Sequence, residues 1–375
     1  MKIGLNGQVI QDKSPAGPEL YTINLFHELA KIDKENDYVI YLDKEPDENF
    51  FKKLTGGNSN FTYKVINQKK LWTQVGLAKE LLDNPVDVFF TAIHTVPMMR
   101  SSKTKYVVMV HGLEYRFTKG YKNLFKRLKI ERPIKYAVRN SDKIIVPSNA
   151  TKDEILKRKW GVKDGKMSVV YEGVSKDFYR RGENEIKDIR KKYGIEDDPY
   201  LLFVSTIQPR KNLPNTIRAF SQFVRENEDM KNTKFLIAGK NGWNYQESLE
   251  APQKYGAEES VKFLGRVPTE DLPALFSGAK GYINISFEEG FGLPLLESMA
   301  CGTWGVVSDI PAHREVGGSL PIYANPRNVE NIKDGIYKIM TSPFDKNLLL
   351  DRAQGFSWER TAEKTLRILK ETVSS

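Results

Sequence analysis

The chain has 375 residues, 40% hydrophobic and 28% charged, with a formal net charge of +10. That length exceeds one typical core and predicts two domains, and no apolar run approaches the roughly 18 residues that span a bilayer. The only cysteine, Cys301, excludes an intramolecular disulfide, and the N-terminus MKIGLNGQVI lacks a basic segment followed by an apolar stretch; both predict a cytoplasmic protein.

In chain order, short apolar, β-branched runs at 2–6, 38–42, 63–66, 86–91, 106–110, 143–147 and 167–172 read as strands. Helical patterns such as 21–31 and 151–159 lie among them. Continuous apolar runs of this kind suit parallel strands covered on both faces, and their alternation with helices predicts a doubly wound α/β sheet. Within this half, residues 118–140 (TKGYKNLFKRLKIERPIKYAVRN) set eight Lys and Arg against the lone Glu131, with Leu124, Leu128 and aromatic residues interleaved. An amphipathic basic helix fits a solvated face, a dock for anionic lipid, or a nucleic-acid surface. No RNA- or DNA-binding motif accompanies it, so nucleic acid is not an expected partner.

Residues 175–199 are highly charged and carry no strand pattern; strands resume at 200–205, 234–238, 261–264, 281–285 and 305–308. This predicts two successive Rossmann-like domains, 1–180 and 181–356, followed by a helix over 357–375. Open α/β sheets bind ligands beyond the carboxyl ends of their strands, which directs attention to the loops that follow strands.

Two such loops stand out. In VSTIQPRKN a strand runs into Arg210 and Lys211 and then into a helix start. Two cations beside helix-terminal amides suit a diphosphate, although an ordinary basic turn has the same local signature. In SFEEGFGLPLLESMACGTWGVVSD, a strand leads into a loop with Glu289, Gly290 and Gly292, then a helix with Pro294 in its first turn and Gly302 beyond its end. The glycines let backbone approach a ligand. Glu297 lies one turn into that helix, flanked by Leu295, Leu296 and Met299. Carboxylates so placed accept hydrogen bonds from paired hydroxyls of a sugar or ribose; the bland alternative is a solvated loop charge and a helix-surface residue.

Residues 200–317 resemble the nucleotide-sugar-binding half of the family 4 retaining glycosyltransferases. YLLFVSTIQPRKNLPNTIRAF, KFLIAGKNGW, VKFLGRVPTEDLPALFSGA and the EGFG segment match its characteristic stretches in order. KYVVMVHGLEYRF, SDKIIVPSNATKDEI and MSVVYEGV are similar to segments of its first domain. The resemblance implies the GT-B fold, two Rossmann-like domains facing across a cleft, with the last helix crossing back to the first domain. It also implies site roles. Arg210 and Lys211 neutralise the leaving diphosphate, and Glu297 holds the ribose. Glu289, with amides at Phe291, Gly292 and Leu293, holds the donor sugar, against which His111 lies. Arg266 and Val267 sit near the base, and Gly17 near the donor. Acceptor contacts are expected around 8–21, Trp72 and 94–98.

Two departures from the family pattern stand out. Gly17-Pro18-Glu19 keeps one glycine of a common pair, with a carboxylate at the second and a proline between, and Trp304 follows CGT where proline is common. No D-x-D motif and no Cys/His cluster is present, so no metal or other cofactor is expected beyond the sugar nucleotide. The expected activity is metal-independent, retaining hexosyl transfer from a nucleoside diphosphate sugar to a glycan or lipid-linked acceptor. A basic segment at 118–140 that contacts anionic membrane would place it peripherally at the inner face. A nucleotide-sugar epimerase or hydrolase, and a noncatalytic nucleotide-sugar or lipid binder, are the competing readings.

Overall fold

A computed structural model describes residues 1–11, 17–113, 115, 124–195 and 197–375. The chain divides into two units: residues up to Gly173 together with Ser357–Ser375, and Val174–Phe356.

The first unit is built on a seven-stranded parallel sheet. Its strands are β1 (Lys2–Asn6), β2 (Asp37–Leu42), β3 (Phe61–Val65), β4 (Val88–Thr91), β5 (Lys105–Met109), β6 (Lys143–Val146) and β7 (Met167–Val169), ordered β3-β2-β1-β4-β5-β6-β7. β1 is flanked by β2 (Ile3 opposite Tyr38) and β4 (Ile3 opposite Val88), so the strand order reverses between β1 and β4. All four β4 residues are buried, as expected of a strand with helices on both faces. At the carboxyl ends of β1 and β4, the buried Asn6 amide donates to Thr91 Oγ1 at 3.1 Å.

The helix Leu124–Asn140 holds most of the basic segment; 118–123 lie outside the described residues. Ile134, Ala137 and Val138 are buried on it, while Arg127, Lys129, Arg132 and Arg139 are exposed. Glu131 is paired with Arg158 at 3.3 Å. The apolar stripe is thus taken up by the core, and the cations form the outward face.

The helix Trp358–Val373 belongs to this first unit. Ser357 caps it by accepting from Arg360 N–H, and its buried residues Trp358, Ala362, Thr365 and Leu369 recur at helical spacing. It packs against the helix Gly17–Ile32. The chain returns to the unit at a close crossing. A Cβ on Gly173 would lie 2.1 Å from the Trp358 backbone nitrogen, so only glycine fits there.

The second unit carries a six-stranded parallel sheet. Its strands are β8 (Tyr200–Val204), β9 (Lys234–Ala238), β10 (Val261–Gly265), β11 (Gly281–Asn284), β12 (Gly305–Ser308) and β13 (Ile322–Ala324), ordered β10-β9-β8-β11-β12-β13. The order reverses between β8 and β11, which places the loops after these two strands side by side at the switch point. The short β13, flanked by prolines, is a strand that apolar-run reading misses. Leu213, Ile217, Phe220 and Phe223 bury one face of the helix Leu213–Glu226 against the sheet. Where the chain enters and leaves this unit, Val174 N–H donates to Phe356 O at 3.2 Å.

Candidate functional site

The two loops singled out in the sequence meet at the β8/β11 switch point. After β8 the chain makes a single turn, Pro209–Lys211, and Asn212 (φ 56°) redirects it into the helix Leu213–Glu226. Asn212 is fixed there by its amide donating to Pro326 O at 2.7 Å. After β11, Phe287 N–H donates to Arg210 O at 2.8 Å, which ties one loop to the other.

This junction brings three charges together. Arg210 Nη1 donates to Glu289 Oε2 at 2.7 Å and to Glu288 O at 2.9 Å, and Lys211 Nζ donates to Glu289 Oε1 at 2.6 Å. The Arg210, Lys211 and Glu289 side chains are only 15%, 4% and 7% exposed. Burial opposes ionisation of Glu289, but Arg210 and Lys211 outweigh it and hold its carboxyl well below the usual carboxylate range. The group carries one net positive charge in a nearly buried position, which is suited to an incoming polyanion.

Gly290, Phe291 and Gly292 lead from Glu289 into the helix Leu293–Ala300. Gly292 adopts φ 109°, a conformation that favours glycine, and its carbonyl accepts from Leu295 N–H at 3.0 Å. Phe291 packs edge-on against Phe356. Glu297 is half-buried one turn into the helix. Both Glu289 and Glu297 lie close enough to the Tyr282 hydroxyl that, after burial itself, their charges add to the rise of its pKa. The two glutamates therefore share one neighbourhood. Arg266 and Val267 follow β10, with Val267 buried.

One buried group beside this loop escapes a motif search. His313, on the helix Pro311–Gly317, is fully buried. Its Nδ1 lies 3.1 Å from Ser308 O, and a carbonyl only accepts, so Nδ1 carries the proton. Burial pushes the imidazole down to about 4, against the opposing pull of Glu289. His313 is therefore neutral near pH 7.

His111 and Gly17 belong to the first unit. His111 follows β5, and its ring is held on two sides. Nε2 faces Ala92 O at 2.9 Å and Nδ1 faces the Glu172 carboxylate at 3.4 Å. Tyr21 meets the ring edge-on at 4.8 Å, and His111 N–H donates to His94 Nε2 at 3.2 Å. Burial first, then His111, pushes His94 down to about 3. Glu172 and His94 are thus parts of the His111 setting, Glu172 given no role by the sequence and His94 expected only within the acceptor stretch 94–98; each also lies just after a strand. Gly17 begins the helix Gly17–Ile32, and among the described residues nothing crowds a Cβ there. Glu19 falls in that helix's first turn, where the dipole favours a carboxylate.

The structure also places two tryptophans named in the sequence. Trp72, placed among acceptor contacts, is a core residue, 5% exposed, whose indole donates to Ile66 O at 3.1 Å. Trp304 stacks on Phe344 at 4.4 Å and donates to Leu320 O at 2.7 Å, so its packing lies outside the charged group. Among the described residues no cluster of three or more His, Cys, Asp or Glu could hold a metal ion, and no helix is long and apolar enough to cross a membrane.

Two parallel-sheet α/β units of this kind are the GT-B architecture. HepE of Anabaena, solved with UDP and glucose, superposes with a TM-score of 0.74 at 16% identity, covering 99% of this chain and 100% of that one. Sucrose-phosphate synthase from Thermosynechococcus elongatus gives 0.75 at 17%, covering 100% and 99%. Residues 15–178 match Glycosyltransferase Family 4 and residues 185–354 match Glycosyl transferases group 1; the chain belongs to the family 4 glycosyltransferases. It is 27% identical over 245 residues to O-antigen chain mannosyltransferase B of Escherichia coli, covering 64% of each. It is 28% identical over 259 residues to O-antigen chain mannosyltransferase RfbU of Salmonella typhimurium, covering 66% of this chain and 65% of the relative. These matches span slightly less than two thirds of either relative.

Proposed function

We propose that the protein is a retaining, metal-independent glycosyltransferase that moves a hexosyl unit from a nucleoside diphosphate sugar to a glycan or lipid-linked acceptor. The observation that carries this reading is the buried Arg210–Glu289–Lys211 group at the switch point of the second sheet. Breaking the bond between the anomeric carbon and the phosphate oxygen sends its electron pair onto the diphosphate. Preorganised cations lower the cost of that charge, and a charge-assisted hydrogen bond contributes roughly 1.5–3 kcal/mol. The acceptor oxygen then bonds the anomeric carbon from the face the diphosphate leaves, and its proton passes to a departing phosphate oxygen.

In this scheme Glu297 accepts from the ribose hydroxyls, and Glu289 with the amides of 291–293 positions the sugar. Arg266 and Val267 adjoin the base; on the first unit, His111 and Gly17 are the residues to test for a part in transfer. The two mannosyltransferase relatives of O-antigen chains favour polysaccharide assembly, with mannose as the first donor sugar to test. The exposed cations of the helix Leu124–Asn140 suit an anionic inner membrane face as the place of work.

The test is thermal unfolding of wild type and Glu297→Ala with UDP, GDP, ADP and their sugar conjugates. A ligand at about 100 times its Kd stabilises by roughly 2.7 kcal/mol. The expected result is a shift with one nucleotide that Glu297→Ala loses, and donor turnover that requires added acceptor. No shift with any of them refutes the reading. Donor consumption without acceptor indicates an epimerase or hydrolase instead.

A further inference from the structure

We propose that His313 is a specificity residue for the donor sugar: its Nε2 accepts a hydrogen bond from a hydroxyl of the hexosyl unit held over the EGFG loop. The inference rests on the nucleotide-sugar reading above and adds to it a residue outside the two-glutamate motif.

With the Nδ1 proton donated to Ser308 O, Nε2 presents a lone pair, and among the described residues it has no hydrogen-bond partner although His313 is 0% exposed. A buried acceptor left so has lost its water without a replacement, which is costly. Such atoms persist in folded proteins where something else supplies the donor.

The direction of the ring identifies that place. A Cβ built on Gly292 would lie 3.2 Å from His313 Cδ2 and 3.7 Å from Nε2. The imidazole edge thus lies directly against Gly292, the loop glycine that leads into the helix Leu293–Ala300. Glu289, three positions earlier, lies within electrostatic reach of the same ring. Its carboxylate is already engaged by two cations.

The chemistry of the pair is complementary. Glu289 is an anionic acceptor, whereas His313 is a neutral one at pH 7. A sugar hydroxyl donates readily to either, while a phosphate oxygen, itself an acceptor, is not bound by a lone pair. Nε2 therefore discriminates the sugar half of the donor from its diphosphate half. It supplies no attraction for the free nucleotide, and that asymmetry makes the idea testable.

The experiment is calorimetric titration of the full chain with UDP, GDP, UDP-glucose and GDP-mannose, for wild type, His313→Phe and His313→Gln. Phenylalanine fills the ring's volume without the acceptor; glutamine returns an acceptor near the Nε2 position. The expected result in His313→Phe is an affinity for the sugar conjugate about 3- to 10-fold weaker, with affinity for the free nucleotide changed less than about twofold. Glutamine recovers part of the loss. Equal weakening of both ligands assigns His313 a structural role and overturns the inference, as does an unchanged preference for the conjugate. If wild type binds none of the four ligands, the parent reading falls with it.

A second measurement covers failure of the phenylalanine variant to fold. In wild type labelled with 15N-histidine, the His313 Nε2 resonance should move upfield with the sugar conjugate and stay in place with free nucleotide. A resonance that moves equally with both, or with neither, refutes the contact.

Discussion

Replacing Glu289 by glutamine is the sharpest perturbation of the site. The substitution keeps the side-chain shape and removes the charge that Arg210 and Lys211 share at 2.7 and 2.6 Å. Two cations then remain in a position where the lysine is 4% exposed. Removing one partner of a buried ion pair costs roughly 3–5 kcal/mol, chiefly because the remaining charge is left uncompensated. For a unit of this size each kcal/mol moves Tm by about 2–4 °C, so the second unit of Glu289→Gln should melt roughly 6–20 °C below wild type. A diphosphate supplies the missing negative charge. The rise in Tm produced by the cognate nucleoside diphosphate should therefore be larger in the variant than in wild type, even as transfer slows. Scanning calorimetry at matched nucleotide concentrations reads both quantities. A variant that loses less than about 1 kcal/mol, or gains no more from nucleotide than wild type does, refutes the view that Arg210 and Lys211, balanced by Glu289 in the free protein, receive the charge of the diphosphate.

Further predictions follow from other parts of the structure. His94 and His313 have folded pKa values of about 3 and about 4, below the unfolded value, so the unfolded chain takes up the proton first as pH falls. Stability should be full above about pH 7 and fall by up to about 1.4 kcal/mol per pH unit for each histidine below pH 6.5; a calorimetric profile that stays flat from pH 7 to 5 contradicts this. Trp304→Ala removes the Phe344 stack and the Leu320 hydrogen bond. It should lower stability by about 2–3 kcal/mol while nucleotide affinity stays unchanged in titration. Gly173→Ala drives a methyl group into the Trp358 backbone; it should detach or shift the last helix, seen as fast amide exchange over Trp358–Val373.

Much of this fold can be read from the chain because parallel strands buried on both faces leave continuous apolar runs such as VFFT and YLLFV. The strand Ile322–Ala324 cannot, since three residues between prolines carry no period. The site divides in the same way. Arg210, Lys211 and Glu289 were identifiable because each follows a strand. The salt bridges that join Glu289 to both cations span 78 and 79 positions and exist only once β8 and β11 are neighbours. His313 sits in PAHREV, a stretch with no spacing signature, and its significance is a matter of which nitrogen is satisfied. Glu172 and His94 likewise gain meaning only from the sheet that brings the ends of β4, β5 and β7 near His111.

The crossing at Gly173 and Trp358 also bears on how the chain folds. Because Val174 N–H meets Phe356 O at 3.2 Å, the whole second unit is a loop whose two ends touch. Closing a disordered loop on the order of 180 residues costs about 4–5 kcal/mol of chain entropy. If Val174–Phe356 folds first, that cost is met inside its own core, and Ser357 emerges beside Gly173 already in register. The helix Trp358–Val373 can then dock as though it were local to β7. Covalently opening the chain within the second unit would lose this advantage only if the cut also unfolds that unit. A break in an exposed loop of Val174–Phe356 should therefore leave the assembly of both sheets intact, while misfolding of the second unit should leave the first without its closing helix.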